Sequence, residues 1–147
     1  MFTKEEIEIA NPCYEALKKL GWEWEPKEGE WGLTDYGETV LIYKNVDKKS
    51  KKNCPLLANT DVYGITSCIG PEYHEVGIPI LHWEKIKKIL EGLGYFIALS
   101  ISNYGGEIMV TGTDEYEHDA TLFELSYKGN NVQKAVMETV IKLGEEK

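Results

Sequence analysis

Residues 80–102 read ILHWEKIKKILEGLGYFIALSIS, and the two periods inside that stretch decide the fold. In its first half Trp83, Ile86, Ile89, Leu90 and Leu93 recur at three- and four-residue steps, which gathers them on one stripe of a helix. Lys85, Lys87, Lys88 and Glu91 fall largely on the other side. Gly92 and Gly94 mark the helix end, because glycine accepts the left-handed backbone that a helix terminus often needs. The period then switches to two. Tyr95, Ile97, Leu99 and Ile101 share one face of a predicted strand, and Phe96, Ala98, Ser100 and Ser102 share the other.

Downstream, Asn103-Tyr104-Gly105-Gly106 supplies a hairpin turn and Glu107 to Thr113 (EIMVTGT) returns. Asp114 to Asp119 is an acidic connection into a third strand, Ala120 to Tyr127, whose Phe123, Leu125 and Tyr127 alternate toward one face. Gly129-Asn130-Asn131 caps a last helix. Its Val132, Ala135, Val136, Thr139, Val140 and Leu143 share a face, and Gly144 is expected to stop it. The order α-β-β-β-α places both helices against one face of an antiparallel sheet.

Upstream, Thr3 and Glu6 have capping-box spacing, and Asn11-Pro12 has the form of a second helix start. Cys13, Ala16, Leu17 and Leu20 then make an apolar stripe closed by Gly21, a helix over 12–20, with the first turn either separate or joined through a kink. Residues 21–70 change character. Trp22-Glu23-Trp24-Glu25 alternates until Pro26 breaks it, Thr39–Tyr43 and Val62–Ile69 read as strands, and Lys44–Asn53 reads as a solvent loop. Gly70 to Gly77 reads as a linker into the central helix. The expected class is α+β. A small antiparallel β module with an N-terminal helix (1–76) precedes an α-β-β-β-α two-layer module (77–147), the two able to pack as one compact domain.

Bulk properties exclude some functions. A chain of 147 residues with 42% hydrophobic residues can bury a core of one domain. A net charge of −9, with no arginine among sixteen cations, argues against a protein that neutralises nucleic-acid phosphates. The start MFTKEEIEIANPC lacks a signal peptide's basic and apolar regions, and no apolar run approaches the ~20 residues of a membrane span. Three cysteines, Cys13, Cys54 and Cys68, form no regular framework and suit a reducing compartment, so the expected location is cytoplasmic.

The run PILHWEKIKKILEGLGY, the glycine-turned hairpin and the closing NVQKAVMETVIKLGEEK resemble small uncharacterised proteins of Firmicute phages and prophages, and this C-terminal half resembles the phage α-β-α sandwich domain. LGWEWEPKEGEW is similar to the Trp-Pro-Gly-Trp opening seen beside that module. The shared motifs are a helix face and glycine stops, so the resemblance implies a phage-type origin in a host cytoplasm and transfers no catalytic or binding residue.

Chemistry-bearing groups are sparse. Cys54, Cys68, His74 and His82 supply zinc-type ligands, but the cysteines are fourteen positions apart and the histidines eight, unlike the tight pairs of zinc sites. Asp114-Glu115-Tyr116-Glu117-His118-Asp119 concentrates oxygen ligands without the spacing or the glycine of a calcium loop, and a solvated connection is the commoner meaning. No nucleophile motif surrounds Cys68, although His74 and His118 are available as bases. The glycines form no phosphate cradle. Lys48, Lys49, Lys51 and Lys52 lack interleaved aromatics and read as a loop tip. No cofactor or metal is expected.

Two functional expectations follow. The first is a non-enzymatic phage-type accessory protein that binds a host or phage protein, its acidic surface engaging a basic target. The second is a small-ligand binder or minor enzyme with an aromatic-lined pocket between the two modules. There Trp22, Trp24 and Trp31 would stack a planar ligand and His74, His82 or Tyr104 would orient it, although tryptophans in a small β module are more often core. A homo-oligomer through the strand edges at 95–101 or 121–127 is compatible with either.

Overall fold

The structure, a computed structural model, describes residues 2–25, 27, 29–34, 39–45, 55–61, 64–69, 76–102, 104–113, 119–129 and 131–146. For 34, 40, 42–45, 55–61, 64–69, 76, 101–102, 113 and 119 it describes the backbone alone. The chain divides into two compact units, one of residues Met1–Glu23 with His82–Lys147 and one of residues Trp24–Leu81. The class is α+β, with an N-terminal helix, a small antiparallel β module and a helix-strand-strand-strand-helix module. The N-terminal helix, grouped with the β module by its place in the sequence, packs against the C-terminal helix of the first unit.

In the first unit, α1 (Lys4–Lys19) runs as one helix through Pro12. The Thr3–Glu6 capping box forms in both directions and nucleates it. Proline removes one intrahelical bond, but Pro12 and the nearby Glu8 are exposed, so water can satisfy the freed carbonyl. α2 (Trp83–Gly92) begins at Trp83, the first residue of its apolar stripe, with His82 as N-cap. Its first N–H, that of Trp83, donates to Gln133 Oε1 at 2.7 Å, so the helix start is capped from the neighbouring helix α3 (Val132–Glu145). Both α1 and α2 close with a Schellman pair. Gly21 (φ 107°) sends its N–H to Lys18 O and Trp22 to Leu17 O, while Gly94 (φ 93°) bonds Glu91 O and Tyr95 bonds Leu90 O.

Gly144 does not stop α3, which continues to Glu145. Its role is packing. A Cβ added there would lie 2.7 Å from Ala16 Cβ and 3.0 Å from Ala16 Cα, so a glycine lets α1 and α3 approach closely. Ala10, Cys13, Ala16 and Leu17 of α1, Ile86 and Leu90 of α2, and Val136, Met137, Val140 and Leu143 of α3 are buried. Burial pushes the Cys13 thiol up to about 12, which leaves it protonated and inert, as its place on the apolar stripe predicts.

The sheet of this unit has order β6-β7-β8, from strands Phe96–Ser102, Gly105–Thr113 and Asp119–Lys128. The hairpin register pairs Ser102 with Gly105 and Leu99 with Ile108. Gly105 (φ 139°) is forced by its backbone, and a Cβ would also strike Tyr127 O. Rows Ile97–Val110–Phe123 and Leu99–Ile108–Leu125 cross the three strands on one face. Ile97, Ile108 and Val110 are buried, and Lys142 of α3 lies 4.8 Å over the Phe123 ring, so the helices cover this face.

The second unit holds a five-stranded antiparallel sheet of order β4-β3-β2-β1-β5, from Trp31–Thr34 (β1), Thr39–Asn45 (β2), Pro55–Asp61 (β3), Gly64–Ile69 (β4) and Val76–Ile80 (β5). β2 covers the predicted strand Thr39–Tyr43 and extends it over Lys44 and Asn45, which read as loop. β4 covers Gly64–Ile69 of the predicted Val62–Ile69, whose first two residues lie outside the described residues. β1, β3 and β5 are not apparent in the sequence pattern. β5 begins within the end of what reads as linker, at Val76 and Gly77, and runs on to Ile80. Its Pro79 masks the pattern, and an edge strand tolerates proline because one side of its backbone needs no partner. The segment 22–25 forms no strand. Trp22 serves in the helix stop, and Trp24 is buried with its indole N–H 3.4 Å from Glu30 Oε1.

Candidate functional site

The groups singled out for chemistry are distributed over both units, and some lie outside the described residues. Trp22, His82 and Tyr104 belong to the first unit, Trp24 and Trp31 to the second. Within the first unit, Trp22 sits at the C-terminal end of α1, edge-on to Tyr14 with ring centroids 6.1 Å apart. His82 is the exposed N-cap residue of α2 and lies against Phe2 at 4.9 Å. Phe2 thus marks where the starts of α1 and α2 meet, and a Gly21 Cβ 3.8 Å from Leu93 marks where their ends meet. Trp22 and His82 are therefore separated by the length of α2, about 15 Å for ten residues at 1.5 Å each. Tyr104 is 90% exposed in the β6–β7 turn.

His74, His118, Cys54 and Lys48, Lys49, Lys51 and Lys52 lie outside the described residues, as do 114–118, and Cys68 is described by its backbone in β4 alone. Among the described residues no group of three His, Cys, Asp or Glu side chains could hold a metal ion. Among them too, no helix is long and apolar enough to cross a membrane.

What the fold does assemble is the second face of the β6-β7-β8 sheet. Strand alternation puts the helix-covered residues on one side and leaves Phe96, Ala98 and Ser100 of β6, Glu107 and Met109 of β7, and Thr121, Glu124 and Ser126 of β8 exposed on the other. The register arranges them in rows. Ala98, Met109 and Glu124 cross the middle of the sheet, Ser100, Glu107 and Ser126 lie to one side, and Phe96, Thr111 and Thr121 to the other. Ala98, Ser100, Glu107, Met109 and Glu124 help line a concavity of about 210 Å³.

Two features distinguish this face. Phe96 is 56% and Met109 36% exposed, which leaves apolar surface in water at the centre and one end of the face. Glu107 and Glu124 are diagonal neighbours across β7 and β8, so their charges add over the concavity. Thr121 Oγ1 lies 3.8 Å from Met109 Sδ, a contact that steadies the thioether across the strands. Lys128, at the hairpin end of β8, is the cation among the described outward residues of the sheet.

Chemically the face offers apolar, hydroxyl and carboxylate groups for contact. Its described side chains are apolar groups, hydroxyls and two exposed carboxylates, with neither an imidazole nor a thiol. It is open to water, without the enclosed, water-excluding cavity in which positioned charges accelerate a reaction. The sequence carried the signal for it. The alternation in FIALSIS and EIMVTGT separates these residues from the core, yet an outward face is ordinarily just a solvated one, so nothing in the sequence singled it out.

No family model, curated protein or solved structure matches this chain. The phage-domain resemblance therefore stands on the helix face and glycine stops that suggested it, and the functional reading rests on the open face of the sheet.

Proposed function

We propose that this chain is a non-enzymatic accessory protein of phage or prophage type that acts by binding a host protein, with the open face of the β6-β7-β8 sheet as its contact surface. The observation that carries the binding reading is the pairing of exposed Phe96 and Met109 with Glu107 and Glu124 on one exposed face of the sheet. An interface needs an apolar centre that loses water on contact and polar groups around it that set orientation. Methionine adapts its shape to a partner at little cost, which suits it to the centre. The two carboxylates, on a chain of net charge −9, favour a partner patch that carries lysine or arginine, and they steer its approach in a salt-dependent way. The phage assignment rests on the resemblance of residues 79–147 and of LGWEWEPKEGEW, and the host cytoplasm as place of action rests on that resemblance and on the cysteine usage.

The test is a paired capture from Firmicute lysate. Immobilised wild-type chain and the Glu107→Lys/Glu124→Lys variant are compared at low and high salt, with circular dichroism confirming that both fold. The expected result is a protein retained by the wild type, lost from the variant and weakened by salt. Equal retention by both, or retention insensitive to salt, would show that this face is not the contact surface.

A further inference from the structure

Strand β6 is one edge of the three-stranded sheet, and its own sequence and register carry none of the devices that keep edge strands from pairing. Its sequence, FIALSIS, holds no charge, no proline and no glycine. Its register with β7 runs through seven consecutive partners without a shift. Other edges are guarded. β8 carries Asp119, Glu124 and Lys128, and the β7–β8 register shifts between Val110 and Thr111. β5 contains Pro79, and β4 begins at Gly64 beside a register shift at Asn59/Thr60. Among the described residues no strand pairs with the outer edge of β6.

A second observation points the same way. Leu99 belongs to the helix-covered face, where its ladder partner Ile108 is 0% exposed, yet Leu99 itself is half-buried. The apolar layer thus runs out to the edge strand, where Leu99 is only partly covered.

We propose that β6 pairs antiparallel with β6 of a second copy of this chain, about a two-fold axis at Leu99, to make one continuous six-stranded sheet. The occupant follows from the sequence read in both directions. Centring on Leu99 sets Ile97 opposite Ile101 of the second copy, Leu99 opposite its own equivalent, Ala98 opposite Ser100 and Phe96 opposite Ser102. Each residue meets one from the same face, so the two apolar layers join and the two open faces lie on one side. No like charges oppose each other at the seam. Such a two-fold contact is self-complementary, and it closes after two copies, which removes the unguarded edge. The pairing needs no host protein and holds whether or not the open face binds one.

Native mass spectrometry and light scattering on the full chain test the proposal. The wild type is expected at twice the 16.7 kDa chain mass. Ala98→Lys/Ser100→Lys substitutes two exposed residues and sets lysines directly opposite one another at the seam, so the dimer is expected to be lost with the fold retained. Mixing that variant with Ala98→Glu/Ser100→Glu is expected to restore a heterodimer. A monomeric wild type, a lysine variant that stays dimeric, or a mixture without heterodimer overturns the pairing. Hydrogen exchange on the wild type gives a reading without substitution. Amides of 96–102 are expected to gain protection with protein concentration, and protection independent of concentration counts against the proposal.

Discussion

Ile108 and Met109 are neighbours in β7, alike in size and apolarity, yet one is 0% and the other 36% exposed. The same contrast holds along the whole sheet. One face, with Ile97, Ile108 and Val110, is sealed by helices, and the other, with Phe96, Ala98 and Met109, meets water. Both faces share one set of backbone hydrogen bonds. What separates them is the period of two, which hands alternate side chains to opposite environments. Stability is therefore expected to depend on one face and recognition on the other, and substitutions can test the division residue by residue.

The largest effect is expected at the sealed face. Ile108→Ala removes buried atoms from a site closed on every side, and a loss of about 2–5 kcal/mol is expected in urea unfolding. A loss below ~1 kcal/mol would mean that the site collapses around the smaller side chain or that the helices do not seal it. Next comes the helix layer above. Gly144→Val puts carbon where a Cβ already falls 2.7 Å from Ala16 Cβ, so α1 and α3 must separate. Overpacking of this kind is expected to cost about 1–3 kcal/mol, read as a lowered unfolding temperature. A neutral result would show that the two helices slide apart without losing their contacts.

A third test uses a proton. The native Cys13 thiol is held up at about 12 by burial, against an ordinary value of 9.0. Between those two values the native state keeps a proton that the unfolded chain releases. Stability then falls as pH rises through that window and is fully present below it. Relative to Cys13→Ala, the wild type is expected to lose up to about 1.4 kcal/mol per pH unit above pH 9. Equal slopes for the two proteins would place Cys13 in contact with water.

These expectations also show how much was legible in the sequence. The stripe Ile86–Leu90, the strand FIALSIS and the closing helix declare themselves because each repeats one period over several turns or pairs. The five-stranded sheet was harder to read. β1 has four residues, β3 opens with a proline and β5 contains one, so none builds a period long enough to recognise. Gly144 was read as a helix stop because glycine usually is one, whereas its work here is to make room for Ala16, a contact 128 positions away that no local pattern encodes. The placement of α1 with the C-terminal module is likewise a tertiary fact. Nor does local pattern encode that Trp22 donates its N–H to Leu17 O at the end of α1, or that the indole N–H of Trp24 lies 3.4 Å from Glu30 Oε1.

The smallest effect is expected at the open face, and it is the most informative. Met109→Thr and Phe96→Thr exchange exposed apolar groups for a residue of high strand propensity, already present at the neighbouring outward positions Thr111 and Thr121. If these side chains contribute nothing to the core, unfolding free energies are expected to stay within about 0.5 kcal/mol of wild type. A protein under pressure only to fold would gain solubility and lose nothing by such a change. Retention of the Glu107- and Glu124-dependent partner would nevertheless be expected to fall, because the apolar centre supplies the surface that loses water on contact. Should both variants keep stability and retention alike, the apolar residues would be incidental and the carboxylates alone would mark the face. Should both lose stability, the face is covered in solution, and the contrast between Ile108 and Met109 would then be one of degree.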